Sequence, residues 1–208
     1  MVEDETQVSS ETAELPLFPL HPVLFPGGRL PLQIFEPRYT DMISSCMRDG
    51  RPFGVVLIRR GSDAKLLAEM PQPEIFDVGT EANVVDFNQL PNGRLGIVVR
   101  GGRKFRVRGT REQEDHLLIG RVEYLAEEPA LPIDAGHQEL VDILRELVKH
   151  PMIEKLGLDI DFDDARSVGW RLAELLPIEP EIKQSLLKLQ WPRERLQELT
   201  RLVDKLRG

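Results

Sequence analysis

The side chains that could perform chemistry are few in this sequence and lie far apart. Cys46 is the only cysteine, so an intrachain disulfide and a cysteine zinc cage are excluded. The serines lie outside any Gly-x-Ser-x-Gly turn, and no Gly-x-x-x-x-Gly-Lys-Ser/Thr phosphate loop occurs. The histidines lack a second ligand at a metal spacing: His21, His116, His137 and His150. We therefore predict no catalytic residue, no metal and no cofactor, and only a serine–lysine pair assembled in space would permit peptidase chemistry.

A basic stretch offers binding chemistry instead. No acid lies between Asp86 and Glu112, whereas this interval holds seven basic residues: Arg94, Arg100, Arg103, Lys104, Arg106, Arg108 and Arg111. Strand alternation places Phe105 and Val107 on one face, and we predict that Lys104, Arg106 and Arg108 point to solvent on the other. These three could contact an acidic protein or RNA, or form a solvated hairpin face that discourages edge pairing. The absence of an aromatic stacking platform in this stretch argues against RNA.

A second candidate site is apolar. Residues 20–25 have the sequence LHPVLF, which is unusually apolar for a connection between two strands. Within it, Val23, Leu24 and Phe25 are flanked by prolines, and a stiff segment costs little entropy to order. If exposed, these three residues form a peptide-binding surface. The alternative is that the connection lies buried beneath the helices.

The spacing of apolar residues predicts the elements that position these candidates. Before residue 130, short apolar runs separated by Pro and Gly predict six or seven strands of a small barrel or bent sheet. Turns are predicted at Pro91-Asn92-Gly93 and Gly101-Gly102, and a helix is predicted to begin at Glu36-Pro37 and end at Gly50. Beyond residue 130, helical periodicity predicts four short helices with apolar faces at 140–148, 168–176, 182–189 and 196–206.

These elements predict an α+β protein with two lobes. We expect a disordered acidic tail at 1–14, a β-rich lobe at 15–127 and a helical lobe at 128–206. The linker around residues 125–132 is short, so the two lobes are expected to share a core. The net charge of −8 argues against a general nucleic-acid binder. No apolar run approaches the roughly 18 residues that span a bilayer, and the acidic start lacks the features of a signal peptide. We therefore expect a cytoplasmic protein without membrane contact.

Several segments carry a resemblance to a known family. They are LPLFPL (15–20), VLFPG (23–27), LPLQIFEPRY (30–39), FGVV (53–56) and WRLAELLP (170–177). Together they resemble the Lon protease N-terminal (LON) domain over about residues 15–206. The resemblance implies a PUA-like bent sheet or pseudo-barrel followed by a helical lobe, and a role in recognising protein substrates or partners.

The resemblance also implies what is missing. Full-length Lon continues into an ATPase and a serine–lysine peptidase, whereas this sequence stops at Gly208. We therefore expect a stand-alone, bacterial-type relative that binds unfolded or extended polypeptides without catalysis, in protein quality control or as an adaptor. An RNA-binding PUA-like module that uses residues 94–111 and an autonomous peptidase are the alternatives.

Overall fold

The computed structural model describes residues 11–62, 72–91 and 94–207. Six strands run through these residues: β1 (Thr12–Leu20), β2 (Arg29–Ile34), β3 (Phe53–Arg60), β4 (Glu74–Gln89), β5 (Leu95–Glu112) and β6 (Leu118–Tyr124). They form one sheet in the order β2-β5-β4-β3-β1-β6, and β5 pairs with β6 as well. Five strands therefore close into a ring, while β2 adds to the first half of β5 outside it. The predicted bent β-rich lobe is confirmed.

The long strand β5 differs from the sequence prediction. It passes through Gly101 and Gly102 without reversing, so the turn predicted there is wrong. A methyl group at Gly101 would lie 2.1 Å from the carbonyl oxygen of Phe25. Glycine is required at this point because another segment of the chain crosses the strand, and close backbone approach is a common reason for glycine inside a strand. The turn predicted at Asn92-Gly93 lies outside the described residues, although the flanking strands pair antiparallel.

Helix α1 (Pro37–Asp49) begins and ends where the sequence predicts. Pro37 occupies the first turn, where its missing N–H has no helical partner, and Gly50 ends the helix with a φ of 62°. The Arg38 guanidinium pairs with the Glu36 carboxylate at 2.8 Å. The inner side of the helix packs against the ring through Tyr39, Met42, Ile43 and Cys46.

The second half of the chain is helical, as its periodicity predicts. A 3-10 turn (Ala135–His137) precedes α2 (Gln138–Leu147), α3 (Pro151–Glu154), α4 (Ala165–Leu175), α5 (Pro180–Lys188) and α6 (Pro192–Arg207). The four predicted helices correspond to α2, α4, α5 and α6. The four-residue α3 was not predicted, because a proline commonly ends a helix, whereas Pro151 begins a new helical turn.

The two lobes share one apolar core, which joins most of the helices to the ring. Phe25 and Val78 come from the β-rich lobe, and both are buried among side chains of α2, α4, α5 and α6. The expectation of a shared core is therefore met. The boundary of the predicted tail needs correction, because residues 12–14 are the first residues of β1 and pair with β6. Residues 1–10 lie outside the described residues.

Candidate functional site

The basic stretch does not form the solvent-exposed face that strand alternation predicts. Lys104 is 5% exposed, so its predicted outward orientation is wrong. Alternation correctly places Lys104 opposite the buried Phe105, but the face that carries Lys104 is covered by the helical lobe. Its Nζ donates to the Glu128 carboxylate at 2.5 Å and to the carbonyl oxygens of Leu187 and Leu189 at 3.1 and 2.8 Å. Burial lowers the pKa of Lys104 to about 8.

Arg195 completes a buried network around the same carboxylate. Its two terminal nitrogens donate to the two Glu128 oxygens at 2.7 Å each, and its Nε donates to the Leu186 carbonyl at 3.1 Å. The guanidinium also lies 3.3 Å from the centre of the Trp170 ring. One carboxylate thus faces two buried cations, and the remaining compensation comes from the aromatic face and from the negative end of α5.

This network connects the two lobes, because Lys104 belongs to the ring, Glu128 to the linker and Arg195 to α6. Sequence reasoning missed it because a helical pattern built from apolar positions assigns no place to Arg195. Nothing in the sequence singles out Glu128 from its exposed neighbour Glu127.

Four other arginines of the basic stretch are paired with acids. Arg103 contacts Glu11 at 2.7 Å, Arg106 lies 3.8 Å from Asp77, and Arg111 contacts Glu14 at 3.1 Å. Arg108 pairs with Glu123. Arg106 and Arg108 are partly exposed, as predicted, but their charges are locally compensated. A partner of either kind would therefore have to compete with carboxylates of the same chain.

A polar cleft of about 580 Å³ lies between the lobes beside this network. Several of its charged residues pair within the chain: Arg166 contacts Glu127 at 2.9 Å and Asp164 at 3.2 Å, and Arg103 lies 3.5 Å from Glu81. Within residues 11–62, 72–91 and 94–207, no group of three or more His, Cys, Asp or Glu side chains could hold a metal ion. A ligand of the cleft would therefore have to compete with these ion pairs of the same chain.

The apolar connection is divided between core and surface. Leu24 and Phe25 are only 3% and 0% exposed, so their prediction as an accessible peptide-binding surface is corrected. Phe25 packs on Trp170, with ring centres 5.7 Å apart. The reason is that the connection crosses β5 and inserts between the ring and α4. Val23 remains half-buried and faces a groove.

This apolar groove has a volume of about 480 Å³ and lies between the connection and helices α3 to α5. Its lining residues are Pro22, Val23, Leu24, Arg29, Leu30, Pro31, Met152, Ile153, Leu156, Glu174, Leu175, Ile178, Pro180 and Lys183. Met152 is 73% exposed on the rim, an unusual exposure for a large apolar side chain. Sequence reasoning identified Val23 but missed the opposite wall, because α3 was not predicted.

Among the described residues, one carboxylate lines the groove, and that carboxylate is already engaged. One oxygen of Glu174 accepts the backbone N–H of Arg29 at 3.1 Å, and the other lies 2.9 Å from the Arg171 guanidinium. Burial raises the pKa of Glu174. Lys183 donates to the backbone carbonyl of Glu174 at 2.6 Å, and burial lowers the pKa of this lysine.

Among the described residues, no helix is both long enough and apolar enough to cross a membrane. The groove and the buried network around Glu128 both belong to a ring and a helical lobe that share one core.

Comparisons with known proteins agree with this architecture. Residues 14–205 match the family described as the ATP-dependent protease La (LON) substrate-binding domain. The crystal structure of a Lon N-terminal domain protein from Xanthomonas campestris is 35% identical and covers 90% of this chain and 97% of its own, with a TM-score of 0.72. The N-terminal domain of Mycobacterium avium complex Lon protease, 15% identical over 90% of this chain and 96% of its own, shares the fold with a TM-score of 0.58.

Sequence relatives show the same relation. Lon protease 1 of Syntrophobacter fumaroxidans is 25% identical over 94% of this chain, and Lon protease of Brevibacillus choshinensis is 27% identical over 93%. The chain spans about a quarter of the length of these two proteins, 24% and 25% respectively. Because the family match extends over nearly all of the described ring and helical lobe, the chain belongs to the family of LON substrate-binding domains.

Proposed function

We propose that this chain is a non-catalytic module that binds unfolded or extended polypeptide segments in the apolar groove. The observation that carries the proposal is the largely apolar lining of this groove, to which the half-buried Val23 and the exposed Met152 both contribute. Exposed apolar concavities are where soluble proteins accept apolar groups of a partner. The family description names a substrate-binding domain, and the relatives are named as proteases, which supports a polypeptide as the ligand.

The small size and apolar lining of the groove suit weak binding that tolerates many different sequences. A volume of about 480 Å³ holds only a few side chains, so the contact is smaller than the roughly 1,200 Å² of a standard protein interface. Affinities of about micromolar or weaker follow. Apolar burial does not depend on direction, so many different sequences satisfy it.

The finer features of the function are part of the same proposal. We assign the chain recognition without hydrolysis of ATP or protein, and a place in protein quality control or as an adaptor. The pairing of Arg103, Arg106, Arg108 and Arg111 with acids disfavours the RNA alternative. No cluster within the described residues favours the autonomous peptidase. Localisation in the cytoplasm stays a prediction from the sequence.

Binding of an unfolded test protein measures the proposal directly. The probe is reduced and carbamidomethylated lactalbumin, and the readout is fluorescence anisotropy with the full chain. Met152→Gln removes an exposed apolar contact and should weaken binding about fivefold to thirtyfold, the equivalent of 1–2 kcal/mol of lost burial. Met47→Gln is the matched control, because Met47 is also exposed but lies on α1, away from the groove.

The comparison of the two variants decides the outcome. Equal effects of Met152→Gln and Met47→Gln would show that the groove is not the binding surface. If the unchanged chain does not bind the test protein at concentrations of about 100 μM, polypeptide recognition itself is refuted. A dissociation constant above this value is too weak for a useful transient contact.

A further inference from the structure

We propose that the apolar groove selects polypeptide segments in which an acidic side chain lies beside apolar residues. This inference rests on the proposed function, because it names the class of segment that the same groove prefers. It is carried by the charges of the groove lining, in which two cations accompany one carboxylate that is already engaged.

The two cations are Arg29 and Lys183, and both line the groove. Arg29 begins β2, and one guanidinium nitrogen lies 3.4 Å from the position that a Cβ of Gly157 would occupy. Lys183 lies on α5 and donates to a carbonyl oxygen, which leaves two of its three N–H groups for other acceptors. Within the described residues, neither side chain forms an ion pair.

Glu174 offsets these cations only in part, because its carboxylate attracts Lys183 but is also shared with Arg171. Its two oxygens face the Arg29 backbone N–H and the Arg171 guanidinium, and Arg171 reaches Glu174 from outside the groove. The single negative charge of the groove is therefore shared first with a third cation. The polar end of the groove keeps an excess of positive charge on a chain whose net charge is −8.

A bound carboxylate satisfies both groups. It accepts the free N–H groups of Lys183 and the guanidinium of Arg29, and charge-assisted hydrogen bonds of this kind are stronger than neutral ones. Lys183 is half-buried, so its ammonium carries a desolvation cost that an anion offsets. An uncharged side chain at the same place would remove further water from the ammonium without offsetting this cost.

The carboxylate belongs to an interior Asp or Glu side chain. Apolar lining residues flank both cations, with Leu30 and Pro31 beside Arg29 and with Ile178 and Pro180 near Lys183. The bound chain therefore has apolar contacts on both sides of the charge, which suits a residue within a segment more than a chain end.

Three peptides of about ten residues test the inference with the full chain. They share a Leu-Val-X-Phe centre, carry acetylated and amidated ends, and have Glu, Gln or Lys at X. The Glu peptide should bind about tenfold more tightly than the Gln peptide, because a hydrogen bond to a charged group contributes more than its neutral counterpart. The Lys peptide should bind most weakly, and about 1 M NaCl should remove most of the difference, since salt screens charges.

Two variants assign the selectivity to the groove. Arg29→Gln should bring the Glu and Gln peptides to within about threefold of each other, and Lys183→Gln provides a second route to the same loss. Arg193→Gln is the matched control, because Arg193 is exposed on α6 and does not line the groove. It should keep the full preference.

The outcomes separate this inference from the proposed function. Equal binding of the Glu and Gln peptides to the unchanged chain overturns acidic selection and leaves polypeptide binding intact. Selectivity that survives both groove variants places the acidic contact elsewhere and also overturns the inference. Failure of all three peptides to bind overturns both proposals.

Discussion

Replacing Glu128 with Gln should remove much of the stability of the chain. The side chain of Glu128 is 2% exposed and accepts three charge-assisted hydrogen bonds, one from Lys104 and two from Arg195, at 2.5–2.7 Å. Glutamine keeps the size and one acceptor oxygen, but it leaves two buried cations without an anion. Breaking a buried ion pair costs about 3–5 kcal/mol. In a chain of this size, that corresponds to a drop in Tm of about 6–20 °C.

Urea unfolding followed by tryptophan fluorescence measures this change, because Trp170 lies against the Arg195 guanidinium. Glu127→Gln is the matched control, since the neighbouring Glu127 side chain is 88% exposed and pairs with Arg166 at the surface. Its cost should stay at about 0–1 kcal/mol. Adding Lys104→Met to Glu128→Gln should recover part of the loss, because it removes one uncompensated cation. Equal losses in the free energy of unfolding for Glu128→Gln and Glu127→Gln would show that the buried carboxylate does not stabilise the two cations.

Two further predictions concern the same strand and the same network. The double substitution Arg106→Glu with Arg108→Glu should change the free energy of unfolding by about 0–1 kcal/mol per residue. Lys104→Glu should cost several-fold more, because it places a second carboxylate beside Glu128. Thermal melts of the two variants compare these losses of stability. The pKa of Lys104 is lowered from 10.5 to about 8, so between these values the unfolded chain binds more protons and the stability contribution of Lys104 rises with pH. The stability difference between the unchanged chain and Lys104→Met should therefore shift in favour of the unchanged chain from about pH 8 to about pH 10, by at most about 1.4 kcal/mol per pH unit, and a flat or opposite trend in urea melts contradicts this.

The helices were predictable because their periodicity is a local property. Leu140 and Leu144, or Leu196 and Leu199, recur on one face of a helix whatever that face contacts, and all four are buried. The strands and α1 followed from equally local signals, namely prolines, glycines and short apolar runs. The fold class is therefore the part of the structure that the sequence predicts well.

The candidate site depends on contacts between distant residues, and local patterns do not contain them. Alternation along β5 correctly separated Lys104 from Phe105, but it could not say that the helical lobe covers the Lys104 face. The groove joins Val23 to Met152, which lie about 130 residues apart and approach each other only in the folded chain. Phe25 was misplaced for the same reason, because its connection crosses a strand from another part of the sequence.

The position of β1 has a consequence for how the chain folds during its synthesis. β1 is one of the strands that form the ring. It pairs with β3 along one edge and with β6 along the other, where Leu17 lies opposite Leu118. Among the strands of the ring, β1 is made first and therefore waits for β6, which is made last. At a synthesis rate of roughly 5–20 residues per second, the interval is about 5 to 20 seconds. Throughout that time one edge of β1 lacks its neighbouring strand, and its apolar side chains stay uncovered. The nascent chain is then itself a ligand for chaperones.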